Sequence, residues 1–200
     1  MVELISITPD PERVIAEAAC ASRLSQKRPE EVGSFVRRLV EARHLSVLRH
    51  AFATFRISEI SRACADQILR HTHLQETPNL LGAIQESQRY VDQRNHGYII
   101  PPSLTEEQRE LYVQAVENAL RIYADLVDSG VPREDARFVL PMGIHTTLVV
   151  SGNFQAWWDF LARRLGSEAQ WEIRQVAHEI LDILVAHAPN VFEEFLWGGI

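Results

Sequence analysis

The sequence has little cysteine and no long apolar run, and both shortages narrow the class of protein. Its 200 residues include only two cysteines, too few for a disulfide framework or a four-cysteine zinc site. No apolar stretch approaches the ~20 residues that a membrane-spanning helix needs. The opening residues carry acids and prolines in place of a basic and then apolar leader, so we expect no export signal. These features predict a reduced, cytoplasmic protein.

Charge of neither sign dominates the chain. Lysine and arginine number 20 against 27 aspartates and glutamates, which gives a net charge of −7. With 46% apolar and 24% charged residues, the composition is that of a globular protein and argues against intrinsic disorder. Net acidity argues against non-specific nucleic-acid binding but allows a local basic pocket for a phosphorylated small molecule. Without repeats or linkers, we expect one domain over residues 1–200, with neither nucleic acid nor membrane as a partner.

Hydrophobic periodicity predicts an α+β fold. Alternation in VELISIT and β-forming residues elsewhere predict strands at 2–7, 50–58 and 146–150, with short strands around 90 and 98–100. Apolar residues at helical spacing predict helices over about 11–23, 29–43, 59–71, 103–128, 132–140, 153–164 and 167–188. Ser58 is expected to cap the third helix, and Ser103 with Glu106 to form a capping box for the fourth. Residues 191–197 are expected to form a terminal apolar turn.

Three polar clusters carry more functional groups than packing requires. Arg70 to His73 closes a predicted helix, where cations either complement the helix C-terminus or bind phosphate oxygens. Ser87 to Tyr90 suits a solvated strand end or a binding motif. Pro132 to Arg137 suits a well-capped surface helix or an anion site. The spacing alone leaves both alternatives open for each cluster.

Several familiar catalytic devices are missing from the sequence. Cys64 lies on the apolar side of its predicted helix, which favours an inert buried thiol. The eight histidines show no H-E-x-x-H or similar spacing, so no metal site is predicted. No G-x-G-x-x-G or Walker loop is present, so a bound nucleotide would be held by other means.

Taken in order, the motifs resemble those of the flavin-dependent thymidylate synthases. The strongest are GVPREDAR at 130–137 followed by Leu140-Pro141, F-L-x-x-R at 160–164 and AQWEI at 169–173. Upstream, the family's order is matched by H-x-S at 44–46, H-x-x-x-T-F at 50–55, ISRA at 60–63, Gln67 and Arg70-His71. The resemblance covers roughly residues 40 to 195.

This resemblance implies a family fold and a family chemistry. The fold would be α+β, with helices packed on a central, mainly antiparallel sheet. It would form a homotetramer whose active sites are shared between subunits and hold FAD. The reaction would be reductive methylation at C5 of a uracil nucleotide, with methylenetetrahydrofolate giving the carbon and NADPH the hydride. In the family no cysteine attacks the pyrimidine, which agrees with the inert character predicted for both cysteines.

The resemblance also implies roles for individual residues. Arg164 would be catalytic, because a guanidinium fork suits the uracil carbonyl, where charge builds as C5 becomes nucleophilic. Arg89, Arg137 and Arg164 would converge on one nucleotide. The full set of substrate-binding residues would be Gln67, Ser87, Gln88, Arg89, Glu134, Arg137 and Arg164. The flavin would be bound by His44, Ser46, Arg70, His71, His73, Gln85, Asn153 and Asp159.

The chain departs from the family pattern chiefly on the flavin side. The signature R-H-R-x-x-S-x-N-E-x-S-x-R-Y has Thr72 in place of its second arginine, and its Asn-Glu pair becomes Ile84-Gln85. The stretch before Ser87 is also longer than usual. The glutamate expected before His50 is Arg49, and Gln155 stands where the family has arginine.

These departures resemble one branch of the family, the uridylate methylases of nucleoside-antibiotic (polyoxin-type) pathways, which accept UMP as well as dUMP. The insertion Gln75–Ile84 would then reshape the site near the ribose and tolerate the 2′-hydroxyl, since a pocket that does not bond a hydroxyl rejects it only weakly. The alternative is a tolerated surface loop without effect on substrate choice. An ordinary dUMP-specific thymidylate synthase and a non-catalytic flavin- or nucleotide-binding oligomer are the other interpretations.

Overall fold

A computed structural model describes residues 1–21, 31–72 and 81–197 of the chain. Within these residues four strands form one sheet in the order β1-β2-β4-β3. The strands are β1 (Val2–Ile7), β2 (Phe52–Ser61), β3 (Gly82–Gln85) and β4 (His145–Asn153). β1 pairs antiparallel with β2, from Val2 opposite Ile57 to Ile7 opposite Ala53. The prediction of an α+β fold is confirmed.

Helices of very different length accompany the sheet. They are α1 (Pro11–Ala21), α2 (Val32–Glu41), α3 (Arg62–Leu69), α4 (Glu106–Asp128), α5 (Arg133–Ala136), α6 (Phe154–Arg164), α7 (Trp171–His187) and α8 (Pro189–Phe192). Short 3₁₀ turns lie at Leu45–His50, Arg70–Thr72, Arg137–Val139 and Glu193–Trp197. In the part of the chain that the structure describes, no helix combines the length and apolar character needed to cross a bilayer.

The described residues divide into two compact units. The first comprises the described parts of Met1–Ile57, Ile68–Ala83 and Val149–Ile200, and the second comprises Ser58–Gln67 and Ile84–Leu148. The expectation of one domain over the whole chain stays a prediction.

The core of the first unit is built on the inward face of β2. Ala53, Phe55 and Ile57 are buried because alternate residues of a strand face the same side. Trp157 of α6 packs edge-on against Phe55 with ring centroids 5.0 Å apart. Its indole Nε1 donates a hydrogen bond to the Ala53 carbonyl at 3.1 Å, so the one polar atom of this large ring is satisfied inside the core.

The core of the second unit is smaller and depends on the long helix α4. Val116 and Tyr123 are its buried residues, and Ile144, directly before β4, and Leu148 of β4 are fully buried as well. The Tyr123 hydroxyl accepts a hydrogen bond from the main-chain N–H of Gln93 at 3.4 Å. Most of α4 remains exposed.

The predicted start of the third helix is wrong. β2 continues through Ser61 and α3 begins at Arg62. The predicted start at residue 59 is therefore too early, and Ser58 is not the cap of this helix. The Ser61 hydroxyl accepts from the Cys64 N–H at 3.0 Å. Ser58 and Ser61 both fit the preference for a cap, but Arg62 N donates to the Ile144 carbonyl at 3.1 Å, which keeps the preceding residues in the sheet.

The predicted capping box of the long helix is displaced. Thr105, and not Ser103, is the N-cap of α4: its hydroxyl accepts from Gln108 N at 3.3 Å, and the Gln108 side chain accepts from Thr105 N at 2.9 Å. The S/T-x-x-E/Q spacing of a capping box occurs twice here, once from Ser103 and once from Thr105. Leu104 N donates to the Pro101 carbonyl and closes a turn, which leaves Ser103 outside the helix. The predicted end at Asp128 is confirmed, and Gly130 follows with φ +94°.

Two short elements also differ from the prediction. The strand expected around Tyr90 is a turn, whereas the strand β3 at Gly82–Gln85 lies in the predicted insertion. Tyr98 makes an isolated bridge to Ile144 and no longer strand. A run as short as β3 offers too few residues for alternation to be recognised.

The later helices confirm the predictions with shifted boundaries. The helix expected over 132–140 is α5 followed by a 3₁₀ turn, and the helix expected over 167–188 begins at Trp171 behind the cap Gln170. The turn expected over 191–197 is the end of α8 and a 3₁₀ helix. The helix from Asn153 to Arg164 is confirmed with Asn153 as its N-cap.

The predicted burial of Cys64 is confirmed, since its side chain is fully buried. We expect Cys64→Ala to lower the free energy of unfolding by about 1 kcal/mol, because a buried apolar group is removed. Turnover should be retained, since no cysteine is assigned to the chemistry. Urea denaturation and initial rates test both points, with Cys20→Ala as the partly exposed control. Loss of turnover in a folded Cys64→Ala protein would contradict a mechanism without a cysteine nucleophile.

Candidate functional site

Two arginines of the second unit gather around Glu134. Arg89 Nε donates to the Glu134 carboxylate at 3.0 Å, and Arg137 Nε donates to the Glu134 main-chain oxygen at 3.0 Å. The positive charge of Arg137 lowers the pKa of Arg62, which places Arg62 within electrostatic range of Arg137. We call Arg62, Arg89 and Arg137 the arginine cluster.

Arg62 is the most unusual member of the arginine cluster. Burial lowers its pKa, repulsion from Arg137 lowers it further, and the nearby Asp66 and Glu86 carboxylates only partly oppose this. Its Nη2 donates to Gln85 Oε1 at a long 3.4 Å, whereas Nη1 is buried without a hydrogen-bond partner among the described residues. A buried cationic N–H without an acceptor is costly, so this arrangement favours an anionic ligand that supplies one.

A tight turn after β3 presents Arg89. The Ser87 carbonyl accepts from the N–H groups of Tyr90 and Val91 at 3.0 and 2.9 Å, and the Ser87 hydroxyl accepts from Arg89 N at 3.3 Å. Gln88 points the other way: it is buried and donates to Gln93 at 3.4 Å. The turn therefore leaves the Arg89 guanidinium exposed and stacked over the Tyr90 ring at 5.6 Å.

The short helix α5 presents the other half of this site. Glu134 of α5 and Arg137, the first residue of the 3₁₀ turn that continues it, are three residues apart and lie on one face of this helical segment. Arg133 does not join the arginine cluster, since its guanidinium donates to the Tyr90 carbonyl at 3.0 Å and to Asp92 at 3.4 Å. These bonds fasten α5 to the turn that carries Arg89.

The first unit contains a second polar arrangement, made by His71 and Arg164. His71 is 5% exposed, and its Nε2 accepts a hydrogen bond from Arg164 Nε at 2.9 Å. Its ring packs edge-on against Phe160 with centroids 5.0 Å apart. Burial, and then the positive charges of Arg164, Arg163 and Arg70, lower the pKa of His71 to about 4. His71 is therefore neutral near pH 7, with its proton on Nδ1.

The other residues predicted to bind flavin have simpler surroundings. Asn153 accepts from Ala156 N at 2.9 Å and so caps α6, a structural role for its side chain. Gln85 donates to Thr146 at 3.3 Å while accepting from Arg62. His44, Ser46 and Arg70 are exposed, and Asp159 lies half-buried on α6. His73 lies outside the described residues.

Two departures from the family pattern form a pair in the structure. Arg49 Nε donates to the Gln155 side-chain oxygen at 2.8 Å. Where the family pattern has glutamate at the first position and arginine at the second, this chain has arginine and glutamine. In this chain the two departures are therefore joined by a hydrogen bond, and the positive charge of the pair lies at position 49.

The structure thus brings the predicted residues together in two sets. Arg89, Glu134 and Arg137 meet in the second unit, close to Ser87, and His71 meets Arg164 in the first. Gln67, also predicted to bind nucleotide, donates weakly to Ala63 O of its own helix at 3.4 Å. Among the described residues, no group of histidine, cysteine, aspartate and glutamate could hold a metal ion.

Arg62 is the site residue that the sequence analysis missed. It stands in the ISRA motif, but the resemblance assigned it no role. A signal was available: Arg62 occupies the first turn of α3, where the helix dipole disfavours a cation. An unfavourable charge at such a position indicates a use other than helix stability.

Comparison with known proteins decides the family. The family model described as "Thymidylate synthase complementing protein" matches residues 3–190. The flavin-dependent thymidylate synthase of Geobacter sulfurreducens is 37% identical over 205 residues, which cover 96% of this chain and 85% of the relative. The chain belongs to the flavin-dependent thymidylate synthase family. This membership confirms the resemblance drawn from the ordered motifs.

Other members of the flavin-dependent thymidylate synthase family show the same extent of similarity. The enzyme of Saccharolobus solfataricus is 38% identical over 203 residues, covering 96% of this chain and 75% of the relative. That of Mycobacterium marinum is 34% identical over 199 residues, covering 90% and 77%. The similarity therefore extends over nearly the whole chain and most of each relative.

Proposed function

We propose that this protein catalyses the reductive methylation of C5 of a uracil nucleotide, UMP or dUMP. Methylenetetrahydrofolate is the carbon donor, NADPH the reductant and FAD the bound flavin. The observation that carries the proposal is the arginine cluster in a member of this family. Its Arg62 Nη1 is buried and has no hydrogen-bond partner within the described part of the chain. Membership supplies the reaction class, and the cluster supplies the means of holding an anionic substrate.

The arginine cluster is suited to the nucleotide phosphate. Guanidinium groups bind phosphate oxygens through two parallel N–H donors, and these bonds are stronger than those between neutral groups. A phosphate beside Arg62 and Arg137 would offset their mutual repulsion and accept from the buried Nη1. Ser87, Gln88, Gln67 and Glu134 complete the proposed set of nucleotide contacts.

Arg164 is the proposed catalytic residue. A guanidinium donor at the uracil carbonyl stabilises the negative charge that develops when C5 becomes nucleophilic. C5 then takes the one-carbon unit, the C5 proton leaves, and tetrahydrofolate is released. The two electrons that reduce the unit to a methyl group come from NADPH.

The residues proposed to bind the flavin suit a dinucleotide. His44, Ser46 and Arg70 are exposed hydrogen-bond donors of the first unit, and the pyrophosphate of FAD offers only acceptors. Asp159 and the Asn153 main chain would add polar contacts, since the Asn153 side chain already caps α6. When bound, FAD carries the hydride from NADPH to the one-carbon unit.

Exposed apolar side chains support a homotetramer with shared active sites. Tyr90, beside Arg89, is 74% exposed, and Phe138, next to Arg137, is 83% exposed. Large apolar side chains next to a binding site mark surfaces that a partner covers. We propose that a neighbouring copy of the chain covers them and contributes residues to each site.

Product analysis with both nucleotides present tests the proposed function. The purified protein is supplied with FAD, methylenetetrahydrofolate and NADPH, together with equal amounts of UMP and dUMP. We expect C5-methylated product, identified by chromatography and mass analysis. Without oxygen, the reduced flavin should be oxidised only when nucleotide and folate are both present. A yellow protein that binds nucleotide without forming product would instead be a non-catalytic binder.

The ratio of the two products decides between the remaining interpretations. Methylated UMP would support the antibiotic-pathway branch, whereas dTMP alone would identify the activity that the names of the relatives state. A variant lacking residues 75–80 tests the insertion, since the deletion leaves β3 at Gly82–Gln85 intact. An unchanged product ratio in that variant would show that the insertion does not determine the choice between UMP and dUMP.

A further inference from the structure

The hydrogen bond between Arg164 and His71 fixes the direction of the Arg164 guanidinium. Nε lies where the side chain meets the planar guanidinium, so a bond at Nε sets the plane of the whole group. The acceptor, His71, is itself held in place by its surroundings. His71 is 95% buried, packs on Phe160, and its carbonyl accepts from Leu81 N at 3.2 Å.

We propose that His71 is a positioning residue that orients Arg164 for the nucleotide, an inference that rests on the proposed function of Arg164. In this role the His71 side chain contacts Arg164 and neither the substrate nor the flavin. Its Nε2 is occupied by Arg164 at 2.9 Å and one edge of its ring by Phe160. The role differs from the flavin contact that the motif resemblance implies for this position.

The protonation state of His71 suits this role. Only neutral imidazole can accept at Nε2, and the Nδ1-protonated tautomer leaves that nitrogen unprotonated. Burial and the charges of Arg164, Arg163 and Arg70 oppose protonation. The arginine therefore has an acceptor throughout the neutral pH range, and the acceptor brings no negative charge that would compete with the substrate.

Two substitutions separate hydrogen bonding from packing. His71→Gln retains an acceptor at about the reach of Nε2, whereas His71→Leu keeps apolar packing against Phe160 and has no acceptor. We expect His71→Leu to lower kcat/KM and nucleotide affinity about tenfold or more, as for a lost bond to a charged group. His71→Gln should stay within about threefold of wild type, and flavin content should be unchanged in both.

A spectroscopic readout tests the geometry without turnover. The Arg164 Nε–H signal, identified by its disappearance in Arg164→Gln, should be protected from solvent exchange in wild type and in His71→Gln. It should exchange rapidly in His71→Leu. Protection that persists in His71→Leu would overturn the proposal.

A double substitution separates this inference from the proposed function. If His71 acts only through Arg164, His71→Leu should cause no further loss of UMP or dUMP affinity in the Arg164→Gln background. Weak binding by Arg164→Gln with wild-type binding by His71→Leu would overturn the inference and leave the proposed function standing. Wild-type binding and turnover by Arg164→Gln would overturn the proposed role of Arg164 and the inference with it. Loss of flavin from His71→Leu at unchanged nucleotide affinity would assign His71 to the flavin instead.

Discussion

Replacing Arg62 with methionine is expected to raise the free energy of unfolding of the protein without nucleotide, and to weaken binding of UMP and dUMP at least tenfold. The two effects have opposite sign for one physical reason. The folded environment lowers the pKa of Arg62, through burial and repulsion from Arg137, so folding disfavours its charged form. Methionine keeps much of the aliphatic stem and removes the charge.

The expected loss of nucleotide affinity follows from the Nη1 atom of Arg62. Arg62 Nη1 is buried and without an acceptor among the described residues, so a bound phosphate would gain a charged hydrogen bond that needs no further desolvation of the donor. Removal of a hydrogen bond to a charged group costs about 1.5–3 kcal/mol, which corresponds to roughly ten- to hundredfold in affinity. Sites that sacrifice stability for binding show this pattern.

Calorimetric titration with each nucleotide and urea denaturation measure the two effects. Arg121→Met is the matched control, because Arg121 lies exposed on α4 and bonds only Asn118 in the hydrogen bonds described. It should change neither quantity. An Arg62→Met protein that is less stable and binds both nucleotides normally would show that Arg62 is a structural cation and would remove it from the site.

The sequence predicts the long elements of the fold better than their boundaries. α4 and α6 were predicted within a few residues because their apolar residues recur over several turns. The sequence predicts the start of α3 at residue 59, three residues before the observed start at Arg62, because Ser58 and Ser61 are equally good caps. A contact distant in the chain, Arg62 N to Ile144 O, decides between them. Local spacing carries no information about that contact.

In the candidate site too, some features can be predicted from the sequence, and others depend on contacts between distant residues. The family resemblance points to Arg89, Glu134 and Arg137 as residues of one site, and the structure brings these three together. The partner of Arg164 could not be predicted, since His71 lies 93 positions away and reads as a helix-terminal cation. Burial reverses that interpretation: surrounded by arginines, His71 is neutral and accepts where the sequence suggested that it would donate.

Acidification from pH 6.5 to pH 4 is expected to lower the free energy of unfolding by about 3 kcal/mol through His71 alone. The pKa of His71 falls from 6.5 in the unfolded chain to about 4 in the fold. Well above pH 6.5 both states hold a neutral imidazole and the residue adds no pH dependence. Between pH 6.5 and 4 the unfolded state binds the proton and the folded state does not, so stability falls as the pH falls.

Urea denaturation at a series of pH values measures this effect as a difference between proteins. His71→Gln cannot titrate there, so its stability relative to wild type should rise by about 3 kcal/mol from pH 6.5 to pH 4 and level off below pH 4. His178→Gln, which removes an exposed histidine of α7, should follow the wild-type curve. Parallel curves for wild type and His71→Gln would mean that folded His71 takes up its proton over the same pH range as in the unfolded chain. Below pH 6.5 its Nε2 would then carry a proton and be unable to accept from Arg164. The same measurement therefore also tests the hydrogen bond on which the orientation of Arg164 depends.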